Sequence, residues 1–232
     1  MMLTKVIATA TAAVIMTATI AAAATVNIAD ISGVWTNVAP TSGISGSGTD
    51  TISWGDPATS AGQSSYVFDD AVTPINNAAS PFYIGDFTHN NNPVYPPSLT
   101  SADLMVTITG DIDGTAFSLT STFTFNHNET TNSTPCNPPG ATVCPDVVTI
   151  VNSQDLSQVV NVGGLDYTIV LSGFLQGGVY TSQFITEEGQ ANTAQLYASV
   201  TQPAPVPLPA AGLLLLGGLG ALRAAKRRRS AA

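Results

Sequence analysis

Hydrophobic and polar residues alternate along most of the chain between residues 25 and 200. In GTAFSLTSTFTFNHNET the even positions from 118 to 124 hold serine or threonine, and most odd positions are hydrophobic: Phe117, Leu119, Phe123 and Phe125. A period of two is typical of a β-strand with one buried and one solvated face. The region shows no useful stretch with the 3.6-residue period of a helix. The pattern therefore predicts an all-β domain.

Turn residues divide this pattern into hairpins. GDIDG, at 110–114, separates two alternating runs, and Gly163 and Gly164 separate another two. We expect a third hairpin around Glu188 and Gly189. Many short strands at close spacing predict a single antiparallel β-sandwich or jelly-roll-like domain over residues 25–200. The aromatic core candidates are Trp35, Trp54, Phe68, Phe82, Phe87, Phe117, Phe123, Tyr167 and Phe174.

Both ends of the chain differ from the alternating region. Residues 1–24 contain Lys5, an uncharged apolar run and small residues before position 25, which predicts a secretory signal peptide cleaved after Ala24. Residues 201–209 form a proline-rich spacer. Residues 210–232 are expected to form a short transmembrane helix and a basic cytoplasmic tail. The apolar run at 208–222 is shorter than the roughly 20 residues that usually span a bilayer.

Charge is divided sharply between the ends and the alternating region. All six lysines and arginines lie in the terminal segments, and all fifteen acidic residues lie between Asp30 and Glu188. A domain without cations cannot neutralise phosphates, so nucleic acid is excluded as a partner. The acidic surface is expected to keep an exported protein soluble, and calcium dependence is the alternative.

The two cysteines, Cys136 and Cys144, enclose seven residues of a Pro/Gly loop. In an exported protein this spacing predicts a local disulfide. The loop provides too few other ligands for a metal site. A cysteine nucleophile would need a base and a reduced thiol, so catalysis is not expected here.

The ending combines Val206, Pro207, Leu208, Pro209 and Ala210 with an apolar run and an arginine cluster. This arrangement resembles the VPLPA type of PEP-CTERM sorting signal. The resemblance implies processing by an exosortase, a membrane-embedded cysteine protease of Gram-negative bacteria that make extracellular polysaccharide. A plain C-terminal anchor is the alternative. LPAAG, at 208–212, also resembles the LPxTG sortase signal, but Ala211 replaces the threonine.

The segments ISGVWTNV, TISWGDP, SSYVFDD and FYIGDFTHNNNPV resemble the THxN family of PEP-CTERM proteins over about residues 31–104. The family motif matches Thr88, His89, Asn90 and Asn91. The resemblance supports the fold and the destination but implies no biochemical activity. These four residues are expected either to build a structural loop or to contact a sugar, and His89 is also a candidate metal ligand.

Acidic residues offer few other candidate sites. Asp111 and Asp113 precede a glycine as in calcium loops, but turn formation is the preferred explanation because the full calcium motif is missing. Glu187 and Glu188 are adjacent, so on a strand they point to opposite faces and cannot act as a glycosidase pair. The same argument applies to Asp69 and Asp70. No catalytic residue and no cofactor other than possible calcium is expected.

The sequence thus favours an exported, non-enzymatic β-sandwich of the cell surface, outer envelope or extracellular matrix. Its expected partners are an exosortase-type protease, extracellular polysaccharide and, before processing, the membrane through its C-terminal helix. A secreted carbohydrate-active enzyme or a calcium-dependent adhesin with a plain anchor is the alternative.

Overall fold

The computed structural model describes residues 24–132, 144–153 and 158–201. In these ranges the chain forms fifteen β-strands and no helix, so the all-β prediction is confirmed. Most of the predicted signal peptide, most of the spacer with its sorting motif, and all of residues 210–232 lie outside the described ranges. Within those ranges, no helix is long and apolar enough to cross a membrane.

The strands, numbered in chain order, form two large antiparallel sheets. The five-stranded sheet has the spatial order β1 (Val26–Ala39), β8 (Ser101–Ile112), β9 (Thr115–Asn128), β10 (Asp146–Ile150) and β14 (Gln183–Thr186). The eight-stranded sheet has the order β11 (Val160–Val162), β12 (Leu165–Gln176), β15 (Gln190–Thr201), β6 (Phe82–Asn91), β5 (Ser64–Asp70), β3 (Thr51–Trp54) and β2 (Ile44–Ser45), with β13 (Val179–Thr181) paired to β12. Strands β4 (Asp56–Pro57) and β7 (Val94–Tyr95) pair separately.

Aromatic side chains from the two sheets pack against each other and make the fold a β-sandwich. Trp35 of β1 lies 5.3 Å from the Tyr66 ring of β5 and 5.7 Å from the Phe87 ring of β6. Phe87 also stacks on Phe125 of β9, with ring centroids 5.7 Å apart and planes 7° apart. These rings lie on the inner faces because inward and outward positions alternate along each strand.

The predicted aromatic core is confirmed. All nine candidates are buried: Trp35, Trp54, Phe68, Phe82, Phe87, Phe117, Phe123, Tyr167 and Phe174. The alternation in β9 has the expected cause, since Phe117, Leu119, Phe123 and Phe125 face the core. Period-two patterning therefore predicted the buried face correctly.

Two of the three predicted hairpins are present. Strands β8 and β9 are joined at Asp113 and Gly114, and β11 and β12 at Gly163 and Gly164; all four residues have positive φ. The third hairpin is wrong. β14 pairs with β10 in the five-stranded sheet, whereas β15 pairs with β12 and β6 in the other sheet. The turn at Glu188 therefore crosses from the five-stranded to the eight-stranded sheet, and Phe184 before it and Leu196 after it are both buried.

We expect Phe87→Ala to lower the free energy of unfolding by about 3–5 kcal/mol, because the ring is fully buried between the sheets and its loss leaves a cavity. Chemical denaturation would measure the change. Val72→Ala is the matched control, since Val72 is 92% exposed and its truncation should change stability by no more than about 0.5 kcal/mol. Equal stability of the two variants would contradict an aromatic core that holds the sheets together.

Candidate functional site

The aromatic core ends in a cluster of polar side chains between the two sheets. Going along β6 and β9, the inward positions after Phe87 and Phe125 are His89 and His127, and both histidines are buried. Asp146 at the start of β10 and Thr186 at the end of β14 are fully buried beside them. Strand alternation therefore directs polar groups into a region where water is excluded.

Rings of the aromatic core enclose the two histidines. Trp54 stacks on His89 with centroids 5.5 Å apart and planes 26° apart, while Tyr66 lies edge-on to His89 at 5.1 Å. The two imidazoles are themselves 5.1 Å apart and nearly perpendicular, at 88°. This packing fixes the orientation of both rings and places them next to each other.

The ring nitrogens of His127 face a tyrosine on one side and carboxylates on the other. Nδ1 lies 2.5 Å from the Tyr66 hydroxyl oxygen, and Nε2 lies 3.3 Å from Oε2 of Glu129 and 3.9 Å from Oδ2 of Asp146. Either tautomer satisfies the bond to Tyr66, since the hydroxyl can donate to Nδ1 or accept from it. When Nδ1 carries the proton, the Nε2 lone pair points towards the two carboxylates.

Hydrogen bonding determines the tautomer of His89. Its Nδ1 lies 2.8 Å from the Thr186 hydroxyl oxygen, and that hydroxyl donates to the backbone carbonyl of Asp146 at 3.4 Å. While the threonine proton is used in this way, Nδ1 of His89 is the donor to Thr186. Nε2 then carries a buried lone pair, and it has no partner among the described residues. Burial and the nearby His127 hold the pKa of His89 well below its usual value, so the ring is neutral.

Asp146 presents one satisfied and one free oxygen. Oδ1 accepts hydrogen bonds from the backbone N–H of Thr130 at 2.7 Å and from its hydroxyl at 3.0 Å. Oδ2 is buried and has no hydrogen-bond partner in the described part of the chain. Burial, and secondarily the charge of Glu129, raises the pKa of Asp146 to about 6 against the opposing effect of Thr130.

Glu188 approaches the same point from the turn between β14 and β15. Both of its carboxylate oxygens are buried and neither meets full hydrogen-bond geometry with a described donor, although the Asn132 side chain lies close to them. Burial, followed by the charges of Asp146 and Glu129, raises its pKa to about 7 against the opposing effect of Asn132. Glu129 differs in having donors, because Oε2 faces both His127 and the indole N–H of Trp54, which lies 3.5 Å away.

These residues form two overlapping sets of possible metal ligands. One potential ligand atom from each of His89, His127 and Asp146 lies within 4.8 Å of the others, and the same holds for Glu129, Asp146 and Glu188. Asp146 belongs to both sets. Imidazole nitrogens together with carboxylate oxygens are donors that divalent first-row transition metals accept. We call these five residues the His/carboxylate cluster.

The predicted ligand contacts at 88–91 divide between two environments. His89 and Asn91 point inward, and Asn91 donates to the Thr186 carbonyl at 3.1 Å while its own side-chain oxygen lacks a partner among the described residues. Thr88 and Asn90 point outward, where they bond to Thr193 at 2.8 Å and Ser65 at 2.9 Å. The alternation of β6 explains the division.

Asn90 lines an open groove of about 410 Å³ on the outer surface. The other polar side chains along this groove are Gln63, Ser65, Asn92 and Gln190. Its lining contains no carboxylate and no histidine. The groove therefore offers amide and hydroxyl groups that can both donate and accept hydrogen bonds, but no acid/base pair.

Asp111 and Asp113 stabilise the turn between β8 and β9. Asp111 accepts from Asn27 Nδ2 at 3.1 Å and from the Gly114 N–H at 3.0 Å, and Asp113 accepts from the Thr25 N–H at 2.8 Å. In the described part of the chain, no third histidine or acidic residue joins them within metal-ligand distance. These bonds agree with turn formation, the alternative to a calcium site.

The remaining predicted site residues lie at or beyond the limits of the described ranges. Cys144 is buried and disulfide-bonded, and Cys136, the other cysteine of the chain, lies outside the described residues. The sorting motif also lies outside them: Val206, Pro207, Leu208, Pro209 and Ala210.

Sequence reasoning missed four members of the His/carboxylate cluster: His127, Glu129, Asp146 and Glu188. A signal existed for His127, since it continues the inward odd positions of β9. Glu129 stands in the tripeptide NET, which resembles a glycosylation acceptor, and Glu188 is half of an adjacent acidic pair. Nothing in the local sequence connects these residues to His89, which lies on the opposite sheet.

Comparison of the chain with protein-family models found no match, and comparison with curated proteins found none either. The resemblances in the sequence therefore enter the functional argument as expectations only.

We expect the metal-free protein to lose stability as the pH rises from about 4 to about 7, the interval between the ordinary and the raised pKa values of Asp146 and Glu188. In this interval the unfolded chain releases protons that the folded protein retains, so deprotonation favours unfolding. The loss from Asp146 is about 3 kcal/mol at most; partial exposure of Glu188 reduces its share.

Denaturation at several pH values in chelator would measure the effect. The free energy of unfolding of Asp146→Asn, minus that of the natural protein, should be larger at pH 8 than at pH 4. A constant difference between the two proteins would show that Asp146 is not destabilised by burial.

Proposed function

We propose that this chain is an exported, non-enzymatic protein of the Gram-negative cell surface, outer envelope or extracellular matrix. In this proposal residues 1–24 are a signal peptide, residues 210–232 are a transmembrane helix with a basic tail, and an exosortase recognises the motif at 206–210. The β-sandwich then has a structural or glycan-contacting role outside the cell.

The distribution of charge carries this proposal. Every lysine and arginine of the chain lies in the two terminal segments, and the whole β-sandwich lacks both. Basic residues beside apolar segments are retained on the cytoplasmic side of a membrane during export. A domain free of them is thus suited to translocation, and a basic cluster placed after the last apolar run is suited to halting it.

A jelly-roll-like form of the β-sandwich is part of the same proposal. The chain passes repeatedly between the two large sheets, from β1 to β2, from β6 to β8, from β13 to β14 and from β14 to β15. Repeated exchange of strands between two packed sheets supports a jelly-roll-like form of the sandwich.

The amide-lined groove supports the glycan-contacting role. Amide side chains such as Asn90 and Gln190 can donate to and accept from sugar hydroxyls at the same time. Because no carboxylate lines the groove, it is suited to contact rather than to hydrolysis, which needs a pair of carboxyl groups across the glycosidic bond.

The intact mass of the protein from its native cell surface tests the sorting proposal. Exosortase processing should leave a chain that begins near Thr25 and ends close to the 206–210 motif, with Arg229 lost and a group added at the new C-terminus. A mass that includes Arg229 would contradict processing and establish a plain anchor.

Binding of the full chain to the polysaccharide of its own host tests the proposed contact with a glycan. We expect Asn90→Ala to weaken binding about fivefold, the value of one hydrogen bond. Asn126→Ala is the matched control, because Asn126 is exposed on β9 of the opposite sheet. Absence of binding by the natural protein, or equal weakening by both variants, would remove glycan contact at this groove.

A further inference from the structure

We infer that the His/carboxylate cluster is a binding site for one divalent first-row transition-metal ion. The ion lies between Nε2 of His89, Nε2 of His127 and Oδ2 of Asp146, and Glu129 and Glu188, which converge with Asp146, add negative charge beside it. This inference goes beyond export and glycan contact and does not depend on either.

The first argument is that lone pairs meet at this point without a donor between them. Nε2 of His89, Oδ2 of Asp146 and both carboxylate oxygens of Glu188 are buried acceptors without partners among the described residues. Leaving several such groups unsatisfied in one place is costly, because each has been removed from water. A cation between His89, His127 and Asp146 accepts the lone pairs of His89 and Asp146 and attracts the Glu188 carboxylate beside Asp146.

The second argument is charge. Three carboxylates, those of Glu129, Asp146 and Glu188, converge within 4.8 Å. Buried charges require an opposite charge nearby. The β-sandwich has no lysine or arginine to provide it, since all six are in the terminal segments. His127, when protonated, provides one positive charge against three carboxylates, and an ion taken from outside the chain is the source that can provide the rest.

The third argument is that neighbouring groups already orient the histidines as ligands. Nδ1 of His89 donates to Thr186, which leaves Nε2 free, and Nδ1 of His127 can donate to Tyr66 with the same result. Metal-binding histidines generally have such a hydrogen bond on the second nitrogen, which fixes the tautomer and the ring orientation. Both rings are also held by aromatic packing against Trp54.

The dimensions and donor types indicate the class of metal. Ligands bonded at about 2.0–2.2 Å to one ion are separated by no more than about 4.4 Å, close to the spread of each ligand set here. Two imidazoles favour zinc or a similar transition metal over calcium, which prefers oxygen ligands. Zinc binds carboxylate oxygens as well as imidazole nitrogens, so Zn²⁺ is the probe of choice.

The position of the site gives the ion a structural consequence. His89 comes from the eight-stranded sheet, His127 and Asp146 come from the five-stranded sheet, and Glu188 comes from the turn that crosses between them. An ion bound to His89, His127 and Asp146 joins the two sheets at this end of the sandwich, next to the crossing turn that carries Glu188. Binding should therefore stabilise the folded protein, since the unfolded chain does not bring these ligands together.

The test uses the full-length protein, stripped with chelator and then titrated with Zn²⁺. We expect one zinc ion per chain by elemental analysis and a rise in the melting temperature of several degrees. His89→Gln and Asp146→Asn should abolish both effects. Because these two substitutions could impair folding, Glu188→Gln provides a second route: Glu188 lies in a turn, and glutamine keeps an oxygen that can accept from the nearby Asn132 side chain.

Glu188→Gln should lower the zinc affinity about tenfold or more, while in chelator it should melt at a higher temperature than the natural protein because one uncompensated charge has been removed. A merely structural turn residue would not produce these opposite effects. Glu187→Gln is the matched control, since Glu187 is exposed in the same turn and should leave zinc affinity unchanged.

Failure of the stripped natural protein to bind zinc would overturn the inference, as would equal affinity of the Glu187 and Glu188 variants. Stronger stabilisation by Ca²⁺ than by Zn²⁺, lost in Glu188→Gln, would overturn the assignment of the metal class. These outcomes leave the proposed export and sorting untouched, because the mass of the mature chain tests those separately.

Discussion

Contact between the aromatic inner faces of the two sheets is the interaction on which the remaining structure depends. The rings of Trp35 and Phe125 on one sheet contact those of Tyr66 and Phe87 on the other, with centroids between 5.3 and 5.7 Å apart across the sandwich. Each sheet has one apolar face that must be buried, and the other sheet is what buries it. The same contact excludes water from the next inward positions along β6 and β9, so His89 and His127 are buried beside the hydrophobic core.

A second constraint follows from the composition. Most domains neutralise buried carboxylates with lysine or arginine, but this β-sandwich contains neither. Asp146 and Glu188 are consequently held near each other with raised pKa values, and burial is the main cause for both. Protons can relieve the repulsion at low pH and a bound metal ion can relieve it at neutral pH. The cation-free composition that supports export thereby leaves the protein dependent on its surroundings for positive charge at this site.

Much of the fold could be predicted from the chain because strand patterning is local. The hydrophobic residues at odd positions, Phe117, Phe123 and Phe125, identified the buried face of β9, and Gly163 and Gly164 identified a turn. The turn at Glu188 was predicted with the wrong partners, since turn chemistry shows that the chain reverses but does not show which sheet each strand then joins. For the site, His89 was a candidate from its motif. The alternation of β9 also indicated that His127 points inward, but nothing in the sequence showed which residues it would meet.

The sequence by itself determined the all-β class, the aromatic core and the separation of charge. The direction of a side chain on a strand follows from its position in the local alternation, and the charges can be located along the chain directly. Tertiary structure alone decided that His89, His127, Asp146 and Glu188 meet. Three strands from two sheets and one crossing turn bring them together, and pairing between strands distant in sequence is set by the packing of the whole domain. Thr88 and Asn90 share a motif with His89 yet face solvent, since the strand that carries them has only one side against the core.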